Sequence, residues 1–130
     1  MRYAAGIFGD KWCFTILRDV LLNGKRFYGD FQASEEGISS NILAARLAHL
    51  EATGMLTRHV DSKKRSRVYY LPTTKARALL PALLAMMVWS TDYDSKSDAP
   101  ATFAQSYRND PVATLRWYED EIDRVNSQLS

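Results

Sequence analysis

A mainly α-helical fold with one small β-hairpin, an α+β arrangement, is predicted by three features of this 130-residue chain. Helical periodicity dominates before residue 54 and after residue 73, β-branched and aromatic residues cluster between 55 and 71, and glycines close the helices that precede them. With 46% hydrophobic residues, a chain of this length builds a core without staples.

The elements follow in order. Asp10 can cap a helix from Lys11 to Leu22, with Trp12, Ile16, Leu17, Val20 and Leu21 as its apolar face and Asn23-Gly24 as its stop. A short second helix is predicted from Arg26 to Ala33, keeping Phe27 and Phe31 at i, i+4 and ending at Glu36-Gly37. The third helix is capped by Ser39 or Ser40 and followed by Gly54 at C′. Leu43, Leu47 and Leu50 define its buried stripe, and the opposite face carries Asn41, Ala44, Ala45, Ala48 and Ala52, flanked by Arg46 and His49. Such a face is neither charged nor bulky, so it can approach another surface closely.

Residues 55–60 and 68–71 read as two strands joined by the polar loop Asp61 to Arg67. Thr74 to Trp89 is predicted as one long helix kinked at Pro81. A connection rich in Ser, Asp and Pro spans residues 90–102, and Asp110-Pro111 then starts a final helix. On that helix Leu115, Tyr118, Ile122, Val125 and Leu129 are spaced 3, 4, 3, 4, the seam of a two-stranded helical contact.

Charge is segregated along the chain. The net +2 combines a neutral stretch over residues 1–57, a balance of +6 over 58–89, where seven bases face Asp61 alone, and −4 over 90–130. A basic block beside an acidic tail suits a polyanion-facing side and a side that faces elsewhere. One cysteine, Cys13, excludes an intramolecular disulfide and leaves no zinc-ligand spacing; its default reading is a small buried hydrophobe. Two histidines, no glycine-rich phosphate loop and no metal-ligand cluster argue against an enzyme, and no cofactor or metal is expected. No signal-type segment is evident, and the longest apolar run, Ala78 to Trp89, is too short to span a bilayer, so a cytoplasmic protein is expected.

Helix, helix, helix, hairpin is the order of a winged helix-turn-helix, which reads double-stranded DNA with its third helix in the major groove. On that reading residues 1–73 form a DNA-binding core and residues 74–130 a helical dimerisation extension within one compact domain. Asn41 is placed for adenine, Ala44, Ala45 and Ala48 for thymine methyl groups, and His49 for a base or phosphate. Ser39 and Ser40 suit a phosphate at the helix N-terminus. Arg46 suits either a phosphate or a structural ion pair. Lys63, Lys64, Arg65 and Arg67 of the loop would grip the backbone, with Arg65 suited to a narrow minor groove. Trp89, Phe103, Tyr107, Leu115, Trp117, Tyr118, Ile122, Val125 and Leu129 are the expected dimer interface, and the aromatics around Trp89 and Trp117 are the motive for a small aromatic effector. The alternative is a winged helix used only for protein–protein contact, which accounts for the C-terminal pattern and leaves the +6 block without a purpose.

These residues also carry a family resemblance. Gly9-Asp10-Lys11-Trp12, Ile16-Leu17-Arg18-Asp19, Arg26-Phe27, Gly37-Ile38-Ser39, Leu43, Arg46-Leu47, Leu50-Glu51, Gly54-Met55, Arg58, Tyr70, Thr73 and Leu80-Pro81 resemble the HxlR family of bacterial transcriptional regulators over about residues 5 to 90. The resemblance implies a dimeric winged-helix protein on operator DNA, often near genes for detoxification or catabolism. Two departures stand out. Sensing members carry a cysteine upstream of the Asp-Lys-Trp motif, whereas residues 1–8 here contain none. Arg65-Ser66 stands where the family often has Pro-Pro, which predicts a more basic, more flexible wing. Ala76 in place of a frequent glycine is expected to be neutral.

Overall fold

Chain order in the computed structural model, which describes residues 1–34, 36–96 and 101–129, is α1 (Arg2–Phe8), α2 (Lys11–Leu22), α3 (Tyr28–Gln32), α4 (Ser40–Ala52), β1 (Leu56–Val60), β2 (Val68–Pro72), α5 (Thr74–Arg77), α6 (Leu80–Tyr93), α7 (Ala101–Asn109) and α8 (Pro111–Ser127). The fold class is the expected one. Helix α1 is absent from the sequence reading, since its seven residues, RYAAGIF, hold no apolar repeat long enough to count.

Helix α2 is the strut on which both halves rest. Asp10 caps it, its carboxylate accepting the Cys13 N–H at 3.0 Å, and Gly24 ends it at φ +69°, a value that a Cβ would strain. One side, with Ile16, Leu17 and Val20, enters a core with Phe31, Leu43, Leu47, Leu50, Met55, Leu56 and Tyr70. Leu21, near its C-terminal end, enters a second core with Leu80, Leu83, Leu84 and Ile122, edged by Phe103, Tyr107, Leu115 and Tyr118. Asp19 is buried on α2 and is satisfied by Arg18, Asn23 and Lys25 at 2.9, 2.9 and 3.3 Å.

The second helix is shorter than predicted. Phe27 is extended (φ −93°, ψ 148°), because the Tyr70 N–H donates to the Arg26 carbonyl at 2.8 Å and Phe27 bridges to Tyr69. The chain before α3 therefore adds a short edge to the hairpin, and Arg26 lies outside any helix. Strands β1 and β2 pair antiparallel from Leu56↔Pro72 to Val60↔Val68.

The single kinked helix predicted from Thr74 to Trp89 is two helices. Pro81 sits in the first turn of α6, where its missing N–H has no intrahelical role, so proline opens a helix here instead of bending one. Helix α6 then continues to Tyr93, and Ala101 already belongs to α7, so most of the described part of the predicted 90–102 connection is helical; residues 97–100 lie outside the described residues. Asp110 caps α8 through the Ala113 N–H at 3.0 Å with Pro111 at its start, as expected.

The loop before α4 is tied back to α2. Arg18 Nη1 lies 2.8 Å from Glu36 Oε1, and Ser34 Oγ also donates to Glu36. These donors, Arg18 first, hold the Glu36 carboxyl down to about 2 from an ordinary 4.5. An acid depressed on folding contributes its stability in full above pH 4.5 and loses it as pH falls toward 2. Urea-unfolding midpoints measured across that window should therefore fall more steeply for the wild type than for Glu36→Gln. Identical slopes would show that the Arg18–Glu36 contact contributes nothing. Asp10→Ala should cost about 1 kcal/mol through loss of the α2 cap, measured by chemical denaturation, whereas Asp10→Asn, which still caps, should retain most of that.

Candidate nucleic-acid interface

The surface singled out in the sequence is built from the outer face of α4 and the β1–β2 loop. Leu43, Leu47 and Leu50 are each at most 1% exposed, and anchoring them turns Asn41, Ala44, Ala45, Ala48 and His49 outward, all exposed. The buried stripe thus sets which face is presented.

The N-terminus of α4 is organised by capping. Ser39 Oγ accepts the Ile42 N–H at 3.3 Å. Ser40 Oγ accepts from Gln32 Nε2 at 2.7 Å, and the Ser40 carbonyl accepts from the Tyr28 hydroxyl at 3.3 Å. Tyr28 and Gln32 of α3 thus orient the start of α4, a contact that no helical spacing in the sequence could reveal. At the other end, Lys75 Nζ donates to the Thr53 carbonyl at 2.5 Å, a cation at the negative end of the helix dipole.

Besides Ser39 and Ser40, three of the candidate side chains, Arg46, Arg67 and His49, are already engaged within the chain. Arg46 Nε lies 2.8 Å from Asp10 Oδ2, so the carboxylate that caps α2 also holds α4. Arg46 lowers the Asp10 pKa and Asp10 raises that of Arg46. Of the two readings open for Arg46, the structure contains the ion pair. Arg67 places its guanidinium 3.6 Å from the centroid of the Phe27 ring, a cation–π contact at the loop end of the hairpin. Its backbone closes the loop, with the Asp61 N–H donating to the Arg67 carbonyl at 2.9 Å. Phe27 meets Tyr69 edge-on at 5.8 Å, and His59 stacks on Tyr69 at 5.2 Å, so the loop end of the hairpin is braced by a row of rings. His49 Nε2 lies 3.3 Å from the Gly6 carbonyl; a carbonyl can only accept, so this nitrogen carries the proton.

The remaining candidates are uncommitted. Asn41 and the side chains of Lys63, Lys64 and Arg65 are exposed and have no hydrogen-bond or ion-pair partner among the described residues. The Lys63 backbone N–H donates to Asp61 Oδ1 at 3.0 Å, fixing the start of the loop tip. An uncharged helix face and, in the hairpin that follows it, three cations thus stay without partners among the described residues.

Cys13 is 1% exposed, and burial, then the Asp10 carboxylate, pushes its thiol up to about 11, the reverse of what a reactive thiol requires. No helix among the described residues is long and apolar enough to cross a membrane. The expected dimer residues divide. Phe103, Tyr107, Leu115, Tyr118 and Ile122 pack into the chain's own second core, and Val125 lies against Gly24. Leu129 is half-buried, while Trp89 and Trp117 are 64% and 57% exposed. The regular seam on α8 is thus largely buried within the chain, because α8 lies against α2, α6 and α7.

Comparison with known proteins gives the same picture. The HxlR-like helix-turn-helix family matches residues 7–98. The uncharacterized HTH-type transcriptional regulator YvaP of Bacillus subtilis is 31% identical over 90 residues, 69% of this chain and 82% of that protein. Among solved structures, PA1607 aligns with a TM-score of 0.63 at 38% identity, covering 74% of this chain and 66% of the other. The redox regulator HypR in its oxidized form aligns with a TM-score of 0.64 at 25% identity, covering 72% of this chain and 96% of the other. An exposed, small-faced α4 followed by a cationic hairpin, with a family match over residues 7–98, places the chain in the HxlR-like helix-turn-helix family of transcriptional regulators.

Proposed function

We propose that the chain is a homodimeric repressor that binds a palindromic operator, with α4 in the major groove and the β1–β2 loop as a wing on the backbone and minor groove. The observation that carries this reading is the set of exposed, uncommitted groups: Asn41 on the alanine face of α4, with Lys63, Lys64 and Arg65 in the loop of the hairpin that follows. A two-fold dimer would set two α4 helices about 34–36 Å apart, one turn of B-DNA. In this scheme Asn41 reads a base and Ala44, Ala45 and Ala48 lie against the groove floor. Ser39, Ser40 and His49 face phosphates at the ends of the helix. Arg46 and Arg67 act chiefly by holding α4 and the wing in place, through Asp10 and Phe27.

Residues 1–73 act as the DNA-binding core and residues 74–130 as the dimerisation extension. The exposed Trp89 and Tyr93 supply aromatic surface for a partner copy, with Leu129 at its edge, while Trp117 and Val125 line a cleft of the chain itself. Protein of this kind works in the cytoplasm. The redox role in the name of HypR is not carried over, since Cys13 is buried with its thiol pushed up. A small aromatic effector belongs to the same proposal, its motive being the aromatic cluster of the C-terminal helices.

Replacing Lys63, Lys64 and Arg65 together with alanine should weaken binding to every DNA sequence and flatten the plot of log affinity against log salt by about one unit per lost phosphate contact. Fluorescence anisotropy at several salt concentrations measures this, and an unchanged slope would remove the wing from the interface. Asn41→Ala should act differently, reducing the preference for operator over random DNA by roughly 1–3 kcal/mol while leaving the salt slope alone. An equal loss on both kinds of DNA would contradict base reading by Asn41.

A further inference from the structure

Apart from the α4 face and the wing, one charged group is held in the interior with no charged partner among the described residues. Arg26 is 2% exposed. Its Nε donates to Asn126 Oδ1 at 3.0 Å, and its Nη1 donates to the carbonyls of Val20 and Lys25 at 2.7 and 2.9 Å. Nη2 is buried as well and has no acceptor among the described residues. Every partner of this guanidinium is neutral.

The acids of the adjoining segments are taken. Asp19 serves Arg18, Asn23 and Lys25, and Glu121 pairs with Arg124 at 2.8 Å. Glu119 and Asp123 pair with Arg77 at 2.7 and 2.8 Å. Burial, with the like charge of Arg77 adding to it, brings the Arg26 pKa down to about 10. A buried cation without a counter-ion is costly, and an anion brought to it recovers part of that cost.

Arg26 lines a cleft of about 320 Å³ between the end of α2 and the face of α8. Leu21, Leu22, Ile122 and Val125 supply apolar walls, and the exposed ring of Trp117 stands at the rim. The volume lies at the lower end of small-molecule sites. A guanidinium with a free N–H and apolar walls matches a ligand with one carboxylate and a flat apolar body. Glu121 and Arg124, which also line the cleft, pair with each other at 2.8 Å and add no net charge to it. The larger cleft, about 530 Å³ between α7 and α8, offers no such group: its Asp110 caps Ala113 and its Thr114 hydroxyl donates to the Asp110 and Ser106 carbonyls.

We propose that the α2–α8 cleft binds a small aromatic monocarboxylate, with the carboxylate on Arg26 and the ring between Trp117 and the apolar walls. This deepens the effector reading above by assigning the ligand's charge and site, and it is independent of how α4 docks on DNA. Because α2 carries α4 on one side and α8 on the other, a ligand here would join the two cores.

The test is a titration of the full chain with sodium benzoate, benzamide and inorganic phosphate at constant ionic strength, followed by the NMR signals of Arg26 Nε–H and Trp117 Nε1–H. Benzoate should shift both signals saturably, with benzamide and phosphate at least about tenfold weaker, the scale of one charge-assisted hydrogen bond. Arg26→Met should abolish the response. Should that variant fail to fold, Val125→Phe, which fills the cleft and leaves Arg26 in place, should abolish it in a protein whose spectrum stays dispersed. No saturable response to benzoate would overturn the proposal, as would undiminished binding in folded Val125→Phe. Benzamide binding as well as benzoate would overturn the carboxylate contact while leaving an aromatic effector standing, and phosphate binding as well as benzoate would overturn the aromatic part.

Discussion

Burial of Leu43, Leu47 and Leu50 against α2 is the constraint from which the rest of the molecule follows. A helix with three leucines on one side has a single favourable rotation about its axis, because turning it would expose them at a cost of roughly 1.5–3 kcal/mol each. That rotation presents Asn41 and the alanines. The Asp10 carboxylate then sets the helix in place, capping α2 and holding Arg46 of α4 at 2.8 Å. A hydrophobic stripe determines the direction of the face, and one carboxylate reinforces its position.

Two sets of cationic groups have different physical roles. Arg18, Arg46, Arg67 and Arg77 are committed to acids or to a ring, and each ties one element to another. Lys63, Lys64 and Arg65 have no such partner among the described residues, so their charge is available to a polyanion. The acidic tail does not simply face away from the basic block: Glu119 and Asp123 of α8 take up Arg77. Part of the +6 block is therefore structural, and the charge left free is concentrated at the wing.

Helix α2 links the two cores, and this gives the chain a mechanical unity that a division at residue 73 does not express. Phe14, Leu21 and Leu22 face the C-terminal helices while Ile16, Leu17 and Val20 face α4. Arg26 sits where these environments meet, its backbone in the hairpin edge and its side chain under α8. The helix that makes the α2–α8 contact is thus also the element that carries α4.

Local chemistry was legible wherever a residue acts within one turn of its own element. The caps Asp10, Ser39 and Asp110, the stop at Gly54, the leucine stripe and the wing charges were all readable in order, because capping, periodicity and left-handed glycine are properties of short segments. The elements that were misread depend on distant partners. Arg26 and Phe27 look helical by spacing, yet the hydrogen-bonding edge of β2 draws them into extended backbone. Pro81 looks like a kink until the end of α5 shows that a new helix begins there. The 3, 4 seam of α8 determined that the helix is amphipathic, but periodicity does not name the surface that covers it. The tertiary structure decided that α2, α6 and α7 cover most of it, and likewise that Arg46 meets Asp10 and that Arg26 has no counter-ion among the described residues. Which charges remain free is determined by long-range pairing, to which a linear pattern is blind.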